Sequence, residues 1–303
     1  MENYILQTRG LSYSYRKREE ALSGINLQVK KGQIYGFLGP NGSGKTTTLS
    51  LLLGLIRKQK GNIEIFGKDL DHHRMELLRK TGSLIESPSL YGNLTARENL
   101  EIYQRAYKMP KERIDQVLEI SGLSDTGKKL TKKFSLGMKQ RLAIALALLP
   151  KPELLILDEP TNGLDPSGIL ELRELVKKLN REEGITILIS SHLLAEVEKM
   201  VTHLGIIVKG KMLFQGSLRE LHQFQQRASM LHIQTSDNAA ALKILKDYSP
   251  SLHQDFIAVS VDDQKQAAAL NKILITNQID VFFLHPKSRD LEQLFIDLTT
   301  NLS

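Results

Sequence analysis

The sequence predicts an α/β fold, on three observations. Short apolar runs at Ile34–Leu38, Leu154–Leu157, 185–189 and 204–208 alternate with stretches of helical spacing. The second and third runs are followed at once by polar or charged residues and the first by a glycine-rich polar loop, and the strand–helix alternation starts afresh beyond residue 228. Short apolar runs closed by turn residues are buried strands, and their alternation with helices builds a largely parallel sheet. Polar residues at the carboxyl ends of such strands lie where open α/β sheets bind ligands.

Composition sets the outer bounds. The 303 residues are 41% hydrophobic and 25% charged, enough for one large domain and a small one. Cysteine is absent, which excludes disulfide, zinc-thiolate and cysteine-nucleophile chemistry and fits a reducing cytoplasm. The longest apolar stretches, at 142–149 and 49–56, fall short of the roughly 20 residues that cross a bilayer. The opening MENYILQTRG lacks the basic-then-apolar order of a signal peptide, so a membrane role is expected only through partners. The net charge is +7, and the densest basic stretch is KKLTKK (Lys128, Lys129, Lys132, Lys133). That stretch carries no interleaved aromatic side chains; it reads as a solvated face, and no nucleic acid is expected as a partner.

In chain order, the first strand run leads into Gly39-Pro40-Asn41-Gly42-Ser43-Gly44-Lys45-Thr46, which matches GxxxxGKT and precedes the helical TTTLSLLLGLI. The glycines let backbone N–H groups converge on phosphate oxygens, and the following helix adds its positive end. Lys45 is expected to supply a point charge to the β and γ phosphates, and Thr46 a hydroxyl ligand for Mg2+. Gly39, Asn41, Gly42, Ser43, Gly44, Lys45, Thr46 and Thr47 are thus the candidate ATP-binding residues of this segment.

Next, 95–108 and 111–121 have helical spacing, the first opened by Leu94 and a T-x-x-E capping box at Thr95 and Glu98. Two consecutive helices interrupt the alternation and suggest a helical subdomain at about 87–150. The second strand run ends in Asp158-Glu159-Pro160. With the phosphate loop in place, Asp158 is the expected magnesium anchor and Glu159 the group that accepts a proton from the attacking water.

What lies between and after those motifs resembles the nucleotide-binding domains of ABC ATPases, over about residues 4–219. Phe134-Ser135-Leu136-Gly137-Met138 stands where that family has its LSGGQ signature, with Ser135 and Gly137 kept and Leu136 and Met138 departing. Thr161-Asn162-Gly163-Leu164-Asp165-Pro166 resembles the D-loop, and Ser190-Ser191-His192 the strand end that carries the switch histidine. Tyr15, with Tyr13 as the alternative, resembles the adenine-stacking aromatic.

The resemblance implies a mostly parallel core sheet, an antiparallel β subdomain and the helical subdomain. It also implies a head-to-tail dimer of two copies, in which ATP on one phosphate loop is covered by Ser135 and Gly137 of the other, with Asp165 nearby. The implied partner is a separate membrane-spanning permease, which would place the chain on the cytoplasmic face of the membrane.

Glu86 stands where most of the family has glutamine. A glutamate adds a charged oxygen near magnesium and removes an amide donor, so Glu86 is a candidate metal ligand and catalytic-site residue, with altered pH and metal dependence expected. A glutamate there, the SLGMKQRL variant and the LEQLF within a helix expected at 289–298 resemble exporter ATPases of lantibiotic self-protection and bacitracin resistance. A soluble ABC ATPase of ribosomes or DNA, and a regulated transporter of another substrate, stay open as alternatives.

Beyond residue 228 the pattern reads strand 230–234, helix 238–247, strand 256–261, helix Gln264–Thr276, strand 280–284 and helix 289–298. This is expected to be a small C-terminal α/β domain at 229–303, with the ATPase domain at 1–219. It carries no catalytic constellation, and is expected to be a dimer-stabilising or partner-docking appendage, with a ligand sensor as the alternative.

Overall fold

The computed structural model describes residues 4–16, 19–86, 89–227, 230–261 and 264–287; the helix expected at 289–298 lies outside them. The chain divides into two compact units, Met1–Gly216 and Ser217–Ser303.

The first unit is built around a six-stranded sheet in the order Lys211–Ser217, His203–Val208, Ile34–Leu38, Thr186–Ser191, Leu154–Leu157, Thr81–Leu84. Neighbours from His203–Val208 to Thr81–Leu84 pair in parallel. Every residue of Ile34–Leu38, Leu154–Leu157 and Thr186–Ser191 is buried, which is why these runs read as continuously apolar rather than alternating. Register aligns Leu38 with Ser191 at the carboxyl ends of two strands and Leu157 with Ile189, so the third strand ends two residues short of them and Asp158 and Glu159 follow. Burial pushes the Tyr35 phenol above its usual range, leaving it a neutral donor to Gln215 Oε1 at 2.9 Å.

A second, antiparallel sheet joins Glu19–Ile25, Tyr4–Arg16, Lys60–Ile65 and Lys68–Asp69, with Gln28–Lys30 also on Tyr4–Arg16. Leu6, Val29, Ile63 and Ile65 from these strands share a core with Phe37, Leu49, Leu52 and Ile156.

The helices follow their local signals. Ala96–Tyr107 opens on the Thr95–Glu98 capping box and closes at Lys108, whose φ is 54°. Glu112–Ile120 follows, then Leu136–Leu148, which is buried on most of its circumference, as an almost wholly apolar helix must be. The helix after the phosphate loop is shorter than the apolar run suggested: it spans Lys45–Leu52 and ends because Gly54 turns left-handed at φ 61°. Asp165 caps Pro166–Glu183, with Pro166 in its first turn and Gly184 left-handed at its end.

In the second unit the sheet runs Ser251–Leu252, Ile257–Ser260, Met230–Thr235, Val281–Lys287, antiparallel throughout. Leu231, Ile233, Ile257 and Val259 pack with Ala241 of Asn238–Ile244 and with Leu270 and Leu274 of Gln264–Thr276. The helix expected to reach 247 stops at Ile244 and passes into a 3₁₀ turn, Lys246–Tyr248, because Ser249, left-handed at φ 48°, precedes Pro250. The short strand Ser251–Leu252 has no signal in the sequence.

Candidate functional site

The phosphate loop is shaped by contacts that exclude side chains at two of its glycines. A Cβ on Gly39 would lie 2.3 Å from Ile207 O, and one on Gly44 2.5 Å from Leu22 Cδ2, with Gly44 at φ 105°. Lys45 is 5% exposed, so its ammonium must be paired. It donates to Gly39 O at 2.8 Å and Pro40 O at 3.2 Å, and forms an ion pair with Glu159 Oε1 at 3.1 Å.

The acidic strand end meets the loop directly. Thr46 Oγ1 donates to Asp158 Oδ2 at 2.8 Å, and Ser190 Oγ to Asp158 Oδ1 at 2.5 Å. Glu159 has φ 43°, a left-handed backbone for a residue with a side chain, and its N–H donates to Ser190 Oγ at 2.9 Å. Its second carboxylate oxygen, Oε2, lies 2.5 Å from His192 Nδ1. Glu159 is therefore held between a lysine and a histidine, one on each oxygen.

Asp158 is 5% exposed and, among the described residues, its carboxylate meets only the two hydroxyls and no cation. A buried carboxylate beside a threonine hydroxyl is a set of hard oxygen donors that fits a magnesium ion. No group of three or more His, Cys, Asp or Glu among the described residues could hold a metal, so an ion here would draw its remaining ligands from phosphate and water.

These groups open on a cavity of about 340 Å³ lined by Tyr15, Asn41, Lys45, Thr46, Thr47 and Glu159, with Gly42 and Gly44 in its wall. Tyr15 is 59% exposed and its hydroxyl lies 3.1 Å from Thr47 Oγ1. Tyr13 meets Tyr15 edge-on at 5.1 Å but packs on the core and does not line the cavity. Gly39 and Ser43 do not line it either: Ser43 is buried and its carbonyl accepts Gly210 N–H at 2.9 Å.

Ser135, Gly137 and Asp165 stand apart from this cavity within the chain. Ser135 caps Leu136–Leu148, accepting Met138 N–H at 3.2 Å, and Asp165 accepts Gly168 N–H at 2.8 Å. Glu86 is exposed at φ 58°, has no hydrogen bond or ion pair with a described residue, and does not line the cavity.

Ser190 is the residue that sequence reasoning passed over. It joins the neighbouring carboxylate to the next residue's backbone, and its only signal is a wholly buried serine at the end of an apolar strand. Glu19 and Glu20, on the cavity rim, carried no signal at all.

A family model described as ABC transporter matches residues 22–162, and a second, described as an AAA domain, matches 131–198. The chain is 46% identical to the bacitracin transport ATP-binding protein BcrA of Bacillus licheniformis, over 97% of each chain. It is 44% identical to the lantibiotic transport ATP-binding protein SrtF of Streptococcus pyogenes, over 70% of this chain and 90% of that one. Among solved structures, cbiO1 of Clostridium perfringens, part of the ABC transporter complex cbiONQ, superposes with a TM-score of 0.68 at 33% identity, covering 73% of this chain and 91% of that one. The ATP-binding cassette MJ0796, a dimer bound to ADP and Pi, superposes with a TM-score of 0.63 at 26% identity, covering 71% and 99%.

Proposed function

The chain belongs to the ABC transporter ATP-binding family, whose members hydrolyse ATP, and from that premise we propose that it drives export of an antimicrobial peptide of the bacitracin or lantibiotic kind. The observation that carries this reading is likeness to a bacitracin transport ATP-binding protein over 97% of both chains, which takes in the C-terminal unit as well as the ATPase unit. No described helix is long and apolar enough to cross a membrane. The relatives are named as ATP-binding proteins of transport, and in line with that we place the path across the bilayer in a separate permease, to which this chain binds on the cytoplasmic face. In this reading residues 1–219 are the ATPase domain and 229–303 an accessory domain.

The roles follow from the chemistry of the groups. Lys45 and the N–H groups of the loop bind the phosphates, with Tyr15 against the adenine ring. Thr46 and Asp158 would hold Mg2+, which would supply charge neutralisation on the β and γ phosphates. Glu159 accepts the proton of the attacking water, and His192, on its other oxygen, orients it. Two copies act head to tail, Ser135 and Gly137 of each facing the γ phosphate on the other, with Asp165 at the junction.

The test is protection. In a bacterium carrying the permease, the unaltered chain is expected to raise the inhibitory concentration of bacitracin or of a lantibiotic, and Glu159→Gln to abolish the gain. Unchanged tolerance to both peptides, with the permease present, overturns the substrate assignment.

A further inference from the structure

The signature helix is fastened to the D-loop of its own chain at two levels. At the first turn, Leu136 reaches the D-loop: a Cβ placed on Gly163, whose φ is 75°, would lie 3.1 Å from Leu136 Cδ2. A Cβ on Gly137 would lie 3.9 Å from both Leu164 Cδ2 and Gly168 Cα. One turn further on, Arg141 Nη2 meets Glu171 Oε2 at 3.3 Å, on the helix that follows the D-loop. The D-loop is tied in turn to the acidic strand end by Asn162 N–H donating to Glu159 O at 3.0 Å, and is closed on itself by Leu164 N–H donating to Thr161 O at 3.1 Å.

Leu136 is 45% exposed and stands at one of the two positions where the motif departs from the family pattern. It lies beside a D-loop glycine in a left-handed conformation, with its Cδ2 close to where a side chain on that glycine would begin. The space between them is small: even a methyl at Gly163 would require Leu136 to give way by a few tenths of an ångström.

We propose that Leu136 is a positioning residue which, through Gly163, makes the signature turn follow the backbone at Glu159 of the same chain. The orientation of Ser135 and Gly137 is then set by the same segment that carries Glu159. In a two-site assembly this places one site's proton acceptor and the opposite site's covering turn on a single lever. The proposal rests on the ATPase reading above.

A double-mutant cycle on the full-length chain tests it, with steady-state ATP hydrolysis and thermal midpoint as readouts. Leu136→Ala is expected to lower kcat about fivefold with KM and the midpoint nearly unchanged, and Leu136→Met to recover most of the loss. Gly163→Ala is expected to lower kcat about tenfold, and the double variant to fall short of the product of the two single effects by about threefold or more, because Leu136→Ala removes the methyl that the added Cβ would meet. Multiplicative effects, an unchanged kcat in Leu136→Ala, or no recovery in Leu136→Met overturn the coupling. An unaltered chain that hydrolyses no ATP sinks the ATPase reading instead; the cycle is then read on the midpoint, where additive shifts overturn the contact itself.

Discussion

The ammonium of Lys45 and the carboxylate of Glu159 lie 3.1 Å apart, closing a bridge between the phosphate loop and the acidic strand end. Lys45 is buried and Glu159 is only 20% exposed at its side chain, so each neutralises the other where water does so poorly. The same lysine is expected to bind phosphate and the same glutamate to accept a proton. A phosphate drawn to Lys45 therefore competes with Glu159 for it, and frees one carboxylate oxygen as it binds.

Glu159→Gln removes the proposed proton acceptor and leaves Lys45 without its ion pair. Turnover is expected to fall about 100- to 1,000-fold, with ATP still bound and two chains held together by it. Single-turnover hydrolysis and size-exclusion with ATP read the two effects. Normal turnover would mean that another group takes the proton.

Ser190→Ala removes a hydroxyl that both accepts from Glu159 N–H and donates to Asp158. Leaving a buried N–H and a buried carboxylate each short of a partner is expected to cost about 1–3 kcal/mol of stability. Because Glu159 is already in a left-handed conformation, turnover should fall as well. Urea unfolding and kcat are measured together. A loss of kcat at unchanged stability would show that Ser190 acts on Glu159 alone.

Tyr15→Ala is expected to raise KM for ATP about fivefold through loss of a ring stacked on adenine. Tyr15→Phe keeps the ring and loses only the contact with Thr47, so its KM should stay near that of the unaltered chain. Tyr13→Ala, at a ring packed on the core, should lower the thermal midpoint and leave KM in place. The reverse pattern would hand the stacking role to Tyr13.

The sequence announces this site unevenly, for physical reasons. Strands Ile34–Leu38 and Leu154–Leu157 stand where they were expected because a strand buried on both faces is apolar until its last residue and is closed there by turn or charged residues. The Thr95–Glu98 cap was legible because it is a bond between neighbours in the chain. The Lys45–Glu159 pair and the Ser190 bridge were not. They depend on the register that sets Leu38 beside Ser191 and Leu157 beside Ile189, which no local pattern encodes. The left-handed backbones of Glu86 and Glu159 were equally silent, since neither residue type advertises a positive φ.

Glu153 gives the pH dependence of stability a defined sign. Its carboxyl is held below the usual glutamate range, chiefly by the hydrogen bond from Lys80 at 3.1 Å and also by Lys31 at 3.4 Å. A depressed folded value makes the contribution complete above the unfolded glutamate's value of about 4.3 and lost as pH falls through the folded one. Glu153→Gln should therefore lower the thermal midpoint slightly at pH 7, with the difference closing as pH is taken towards 3. A difference that widened in acid would reverse the assignment.

Glu86→Gln separates a ligand role from a coupling role. Glu86 follows strand Thr81–Leu84, and Leu84 O accepts Asp158 N–H at 2.8 Å, so the segment is joined by backbone to the proposed magnesium anchor while its carboxylate stays exposed. If the carboxylate reaches the ion only when nucleotide binds, Glu86→Gln retains hydrolysis but needs more magnesium for half-maximal rate, because a charged oxygen donor is lost. Glu86→Gly serves as the backbone control: at φ 58° it removes strain worth about 1 kcal/mol and should raise the thermal midpoint. A magnesium requirement that stays fixed in Glu86→Gln, together with weaker stimulation by the permease, would assign the residue to the partner instead. Complete loss of hydrolysis would show that it acts on the reacting phosphate itself.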